Sequence, residues 1–337
     1  MAGIVGRRGW VSVVRNGVLG GNGLVCGGHG VVGVVPRASP WMEQGQQVRW
    51  ANLKAVRARM RSVGSISKIT NAMKVVASTK LRVVQRMYDR AGPFSVGMGH
   101  FFDRLGEAAE KTVEETSAGP EGVKTKEAIV AITSDRGLCG GVNSAIVKLV
   151  KRNVEAHSDR IDATIFLVGD KGKDGLSRVV GKLFAASYKD VFKSPVTFDL
   201  ASIIAEEISS RSFDTIAICY NKFKSVISQI PTKKNIAGLE FMKANAHLFD
   251  EYEFDTDIDN NQVLMDLFEF QLAAQIFGAC LENSTSEQAA RMAAMDNATR
   301  NAKDMLSRLT LLYNRQRQAV ITSELIEIIS GAEALQG

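Results

Sequence analysis

Cysteine, proline and aromatic residues are all scarce in this chain, and each shortage excludes something. The four cysteines (Cys26, Cys139, Cys219 and Cys280) lie far apart with no CxxC spacing, and the four histidines are equally scattered. That leaves neither a zinc-ligand cluster nor a disulfide framework. Small buried thiols are the plain reading of the last three. The prolines stand at 36, 40, 93, 120, 195 and 231, so everything after Pro231 is free to be helical. No run approaches ~18 uninterrupted apolar residues, so no membrane span is expected. Hydrophobic residues make up 45% of the 337, enough for one or two compact domains with a real core.

Acid is missing from the N-terminus. Residues 1–42 hold Arg7, Arg8, Arg15 and Arg37, eleven glycines, and no Asp, Glu or Lys. This is the composition of an organelle transit peptide, and residues 1–46 are expected to be cleaved from the mature protein. The glycines weaken the amphipathic helix such peptides usually form; the alternative is a retained disordered tail.

Two stretches lack helix breakers. From Gln46 to Ala91 there is no proline and only Gly64. Leu53, Val56, Met60, Val63, Ile66, Ile69, Met73 and Val76 recur at steps of three or four, a helical stripe. At ~1.5 Å per residue such a helix reaches on the order of 65 Å, more than a globular core requires. Its polar face is one-sided: eleven Lys/Arg against Asp89 alone between Arg49 and Arg90. At the other end, Ala279 to Ser330 contains neither Gly nor Pro. Within it Gln288, Met292, Met295, Thr299, Ala302, Leu306, Leu309 and Tyr313 step alternately by four and three. That heptad seam implies a partner helix, and the other long helix is the simplest partner, antiparallel if the middle of the chain brings their ends together.

Between these helices, EAIVAIT (127–133), ATIFLVG (163–169) and FDTIAICYN (213–221) read as buried strands. NSAIVKLVKRNVEAH (143–157), KDGLSRVVGKLF (173–184) and LASIIAEEISSR (200–211) read as helices. Their alternation implies an open, largely parallel sheet. FKSVISQI (223–230) adds a hairpin strand after Asn221–Lys222. The expected layout is an N-terminal helix over 47–110, a linker over 111–126, an α/β lobe over 127–232, an acidic linker over 233–260 and a C-terminal helix over 261–335.

Chemical signatures fall short. SDRGLCGG (134–141) sits between a strand and a helix, where glycine turns can cradle phosphate. A P-loop needs Lys and a hydroxyl next, but Val142 and Asn143 follow, and Cys139 breaks a dinucleotide fingerprint. GDKGKDG (169–175), read as a second turn, puts Asp174 where the hydroxyl belongs. DTDIDNNQVLMD (255–266) opens like a calcium loop but has Asn260 for the glycine and Asp266 for the bidentate Glu; acids preceding a helix N-terminus are the simpler account. The basic helix fits nucleic-acid phosphates or an acidic protein surface equally well, though only Trp50 and Tyr88 could stack on bases. No cofactor, metal site or paired nucleophile and base emerges.

Four blocks carry a resemblance: KITNAMKVVASTKL (68–81), SDRGLCGG (134–141), TSEQAARMAAMDNATRNA (285–302) and YNRQRQAVITSELIEIISGAEAL (313–335). The chain resembles the γ subunits of F-type ATP synthases, in their mitochondrial form, over residues ~50–335. The resemblance implies an α/β fold class with a long antiparallel two-helix coiled coil and a small open, Rossmann-like lobe. It implies a non-catalytic rotor shaft that couples the membrane ring to the catalytic β subunits, on the matrix side of the mitochondrial inner membrane. Its implied partners are the α and β subunits, small rotor-foot subunits of the δ/ε type, and the c-ring. It assigns Arg317 and Gln318 to a polar catch on β, and Thr322, Glu324, Arg291, Glu287 and Met73 to the same interface. Against this, Glu287 and Arg291 at i, i+4 suit a local pair, and Met73 suits coiled-coil core. The chloroplast form's regulatory cysteine pair is missing, since Cys219 has no second cysteine nearby. The alternative is a coiled-coil nucleic-acid-binding or scaffold protein with a degenerate nucleotide-binding lobe. The tip separates the two, because a free scaffold would expose Leu325, Ile326, Ile328, Ile329 and Leu335 to water.

With no Lys or hydroxyl after Gly141, calorimetry of the isolated protein against Mg·ATP is expected to give no saturable heat. Micromolar binding lost on Arg136→Ala would restore the nucleotide-binding reading.

Overall fold

The computed structural model describes residues 41–115, 125–157, 161–244 and 260–336. The chain divides into two units, Met1–Arg49 and Trp50–Gly337. In the first, residues 41–49 are helical; the transit segment expected over 1–46 otherwise lies outside the described residues. The second unit holds the sheet and the paired long helices.

The elements in chain order are α1 (Trp41–Glu115), β1 (Thr125–Ile132), α2 (Val142–His157), β2 (Ile161–Val168), α3 (Asp170–Val180), β3 (Phe184–Tyr188), α4 (Phe198–Ser209), β4 (Thr215–Phe223), β5 (Gln229–Ala237), α5 (Leu239–Ala244) and α6 (Asn260–Gln336). The sheet order is β3-β2-β1-β4-β5. The first four strands run parallel and β5 returns antiparallel to β4. Alternation along each strand sorts side chains into two cores. Ala128, Val130, Ile132, Phe166, Ile216 and Ile218 pack under α4 and α6. Ile129, Ala131, Ile165, Leu167 and Ala217 pack under α2 and α3.

The sheet differs from the sequence reading at several points. GDKGKDG is not a turn but the start of α3, which is acceptable for two glycines because close packing demands them. A Cβ at Gly172 would lie 2.8 Å from Thr133 Oγ1, and one at Gly175 2.8 Å from Val147 Cγ2. The helix read to Phe184 ends at Val180, and the short edge strand β3, which the sequence reading did not include, begins at Phe184. The hairpin turn falls at 224–228, so β5 and α5 occupy the beginning of the expected acidic linker, whose residues 245–259 lie outside the described set. Of the calcium-like stretch, residues 260–266 are the first turns of α6. The linker expected over 111–126 starts inside α1 and ends inside β1, with 116–124 outside the described residues.

The two long helices pair antiparallel. Thr299 Oγ1 donates to Thr70 Oγ1 at 2.8 Å, Lys74 Nζ to Asp296 Oδ1 at 2.7 Å, Tyr88 OH to Glu282 Oε1 at 3.3 Å, and Gln275 Nε2 to the Ser95 carbonyl at 3.0 Å. As numbers rise on one helix they fall on the other. The α6 seam is as expected through Tyr313 and continues over Gln316 and Val320. One apolar window of α6 is long enough to span a membrane by composition, with mean hydropathy 1.3, but 61% of it is buried inside the protein, as in a core helix.

The α1 stripe needs correction. Its buried side runs Leu53, Val56, Met60, Val63, Ser67, Thr70, Lys74, Ala77, Leu81, Val84 and Tyr88. The expected stripe follows this line only to Val63. Beyond it Ile66, Ile69, Met73 and Val76 are exposed by 41% to 57%, and polar Ser67, Thr70 and Lys74 take the seam instead. This predicts a contrast between adjacent residues. Ala77→Asp places a charge at a site 1% exposed and is expected to destabilise by several kcal/mol. Val76→Asp, at a site 55% exposed, should stay within about 0.5 kcal/mol. Thermal unfolding of both variants checks the phase; equal losses would refute it.

Candidate interaction site

The SDRGLCGG loop holds its shape through its own polar groups. Ser134 N donates to Asn143 Oδ1 at 3.0 Å, and Asn143 Nδ2 returns a bond to Ser134 Oγ at 2.7 Å. Ser134 Oγ donates to the Arg136 carbonyl at 2.7 Å. Gly140 sits at φ 64° and so does Leu138, a conformation unfavourable for a branched side chain. Leu138 is also 61% exposed. Strain combined with an exposed apolar side chain marks a surface shaped for contact. Asp135 Oδ2 accepts from the Phe192 amide at 2.8 Å, which ties the loop to the segment after β3.

Well along its length, α6 reaches over this loop. Arg291 Nη2 pairs with Glu287 and donates to the carbonyls of Arg136 and Gly137 at 3.4 and 3.3 Å; its Nη1 donates to Gln288 Oε1 at 3.0 Å. Glu287's side chain is only 4% exposed. Burial pushes its carboxyl pKa up, and Arg291 opposes that shift. Glu287 Oε2 and Asp135 Oδ1 are buried without a hydrogen-bond partner. Both residues line a cleft of about 520 Å³, with Ile69, Met73, Val76 and Leu138 on its apolar side. The three thiols described are buried, and desolvation pushes Cys219 and Cys280 up to about 12, so none is a ready nucleophile.

The seven residues singled out from the sequence thus fall into two groups. Met73, Glu287 and Arg291 meet at the cleft. Met73 is 41% exposed there rather than coiled-coil core, and Glu287 lines the cleft while paired with Arg291. Arg317, Gln318, Thr322 and Glu324 lie roughly 40 Å further along α6 at ~1.5 Å per residue. Arg317, Gln318 and Thr322 are exposed and Glu324 is half-buried. Thr322 Oγ1 donates to the Gln318 carbonyl at 2.9 Å, one turn back. Around and beyond them the apolar Ile321, Leu325, Ile326, Ile328, Ile329 and Leu335 are 49% to 90% exposed.

Sequence reasoning missed the polar cluster between α6 and the sheet, formed by Thr133, Asn221, Asn283 and Ser286. A signal was present: ENSTSEQ is a run of polar residues, several poor helix formers, directly after the mostly apolar stretch LAAQIFGACL.

Comparison with known proteins fits this geometry. A family model described as ATP synthase matches residues 52–335. The ATP synthase gamma chain of Paracoccus denitrificans is 42% identical over 290 residues, covering 84% of this chain and 99% of its own. The mitochondrial ATP synthase subunit gamma of Ipomoea batatas is 39% identical over 300 residues, covering 86% and 87%. Among solved structures, a chain of the Tetrahymena thermophila mitochondrial ATP synthase central stalk and c-ring aligns with TM-score 0.55 at 30% identity, over 68% of this chain and 99% of that one. A chain of the Euglena gracilis mitochondrial enzyme aligns with TM-score 0.65 at 20% identity, over 85% and 95%, a likeness of fold.

The Glu287–Arg291 pair makes a stability prediction. Arg291→Ala leaves a buried carboxylate unpaired and is expected to cost about 3–5 kcal/mol at neutral pH. Glu287's folded pKa lies above its unfolded value, so the stability it withholds grows as pH rises through that window and is regained as pH falls back through it. The Arg291→Ala loss should therefore shrink in acid, and Arg291→Ala/Glu287→Gln should recover most of it. Chemical denaturation at two pH values reads both effects; a pH-independent loss would refute the pairing.

Proposed function

The chain belongs to the γ-subunit family of ATP synthases, and on that premise we propose that it is the central rotor shaft of a proton-driven enzyme of the mitochondrial inner membrane. It sits on the matrix side and is peripheral rather than membrane-spanning. It is not itself catalytic: it couples rotation of the membrane c-ring, through the lobe and small foot subunits of the δ/ε type, to the catalytic β subunits in a head of α and β. The observation that carries this reading is the asymmetry of α6. Its early turns are embedded in the lobe, while its last turns present large apolar side chains to the outside. Patches of that kind mark protein contacts, and a surrounding sleeve of α and β subunits would cover them. The nucleic-acid or scaffold alternative finds no support among the relatives.

Coupling follows from unequal contacts. A ligand or subunit shifts a conformational equilibrium only by the difference in its interaction with the two states. The shaft presents the cleft of Met73, Glu287 and Arg291 at one height and Arg317, Gln318, Thr322 and Glu324 at another. Each β subunit therefore meets a different face of the shaft at each angle.

Native mass spectrometry of the purified complex tests the class: one copy of this chain with three α and three β is expected, and any other stoichiometry refutes it. The polar group at 317–318 makes a sharper prediction. Arg317→Ala/Gln318→Ala keeps good helix formers on an exposed face, so assembly should persist. Losing a charge-assisted hydrogen bond worth about 1.5–3 kcal/mol in the rate-limiting state lowers turnover about 10- to 100-fold. Normal ATP hydrolysis in that complex would show that these residues carry no torque.

A further inference from the structure

The six consecutive polar residues from Asn283 to Gln288 are all buried, none more than 8% exposed. A helix in water puts such a run outside, and a helix in a core avoids it. Two of them reach across to the sheet. Asn283 Nδ2 donates to the Thr133 carbonyl at 3.3 Å, where β1 ends. Asn283 Oδ1 accepts from Asn221 Nδ2 at 3.0 Å, near the end of β4. Ser286 Oγ donates to the Asn221 carbonyl at 2.9 Å. Asn221 Nδ2 also reaches the Val142 carbonyl at 3.4 Å, at the start of α2. One knot thus joins α6 to the ends of two strands and the start of a helix.

Its place on α6 matters. Leu264, Phe268, Leu272 and Ile276 pack on the sheet before it. After it come the seam positions Met295, Thr299 and Ala302, buried along the antiparallel pair with α1. The knot lies where the helix leaves the lobe. Apolar contacts are non-directional and resist rolling of a helix about its own axis weakly. Hydrogen bonds to fixed strand ends are directional, and breaking them in a buried site leaves polar groups unsatisfied. Rotation about the helix axis is the load that a shaft must transmit.

We propose that Asn221, Asn283 and Ser286, with the Thr133 carbonyl, form the torsional joint of the rotor. They fix the angle between lobe and shaft, so that rotation delivered to the lobe arrives undiminished at the tip. They act through the backbone they lock and touch neither nucleotide nor the β subunits, so they are positioning residues. The inference rests on the rotor reading above.

The test uses the whole complex in membrane vesicles. Asn221→Leu/Asn283→Leu removes donors and acceptor together, and Ser286→Ala removes a single donor. Thr285→Val is the control: Thr285 is equally buried, but among the described residues its hydroxyl bonds only to Leu281 O in its own helix. ATP hydrolysis without a gradient, the proton gradient sustained by hydrolysis, and the torsional stiffness between a mark on the lobe and one at the tip are measured together. Ser286→Ala, missing one hydrogen bond, slips about fivefold more often under load, and Asn221→Leu/Asn283→Leu, missing several, more often still. Hydrolysis should stay near normal in both joint variants, while the sustained gradient and stiffness fall and Thr285→Val leaves all three unchanged. Unchanged gradient and stiffness in the joint variants would overturn the proposal. So would equal damage from Thr285→Val, or loss of assembly in both joint variants, since either makes the cluster a folding element only. If the unaltered complex lacks this chain or sustains no gradient, it is the rotor reading that fails.

Discussion

A single helix of 77 residues has to satisfy two different partners, and the change of partner is the constraint on which the molecule depends. Over its first turns α6 packs against the sheet through residues four apart: Leu264, Phe268, Leu272 and Ile276. Contacts with α1 begin alongside, at Gln275 and Glu282, and past Gln288 they follow the alternating steps of a coiled coil. The two patterns drift relative to one another around the helix, so between them neither face suffices to cover the chain. The polar run from Asn283 to Gln288 fills that interval. Because buried polar groups must find partners, the run dictates what faces it: the Thr133 carbonyl, Asn221, and Arg291, which in turn holds the Arg136 and Gly137 carbonyls. The glycine-rich SDRGLCGG loop has its use here too, because it presents those last two carbonyls to the shaft.

Much of this was legible in sequence. The strands of the parallel sheet are continuous apolar runs, and the α6 seam shows its four-three alternation even with Gln, Thr and Ala in it. The phase of α1 was not legible beyond Val63. Hydrophobicity points to Ile66, Ile69, Met73 and Val76, yet the seam takes Ser67, Thr70 and Lys74, and the last two meet Thr299 and Asp296. A helix with two apolar or semi-polar stripes cannot declare from its own sequence which one faces its neighbour. The start of α3 was hidden for a different reason. Two glycines read as a turn, whereas they are there to let a helix approach Thr133 and Val147.

The contact residues were legible as motifs but not as geometry. Glu287 and Arg291 are spaced for a local ion pair, and they make one. Nothing in that spacing reveals that Arg291 also holds a loop more than 150 residues away. The Asn283 knot joins residues 62 and 150 positions apart. Long-range polar contacts of this kind follow from the arrangement of elements rather than from any local period, so they appear only once the fold is assembled.

The same logic separates the two ends of the shaft. Polar layers in a coiled coil fix register at a cost in stability, and the Thr70–Thr299 and Lys74–Asp296 layer pins α1 against α6 near the lobe. Beyond it the seam weakens while exposed apolar area grows, with Leu311 at 71%, Ile328 at 72% and Leu335 at 90%. Each such side chain gains about 1.5–3 kcal/mol when fully buried. The chain forgoes that gain on its own and recovers it only inside a partner. A shaft built in this way is pinned by polar contacts at the lobe end and carries uncovered apolar area toward its tip, so the tip is the end that a partner would complete.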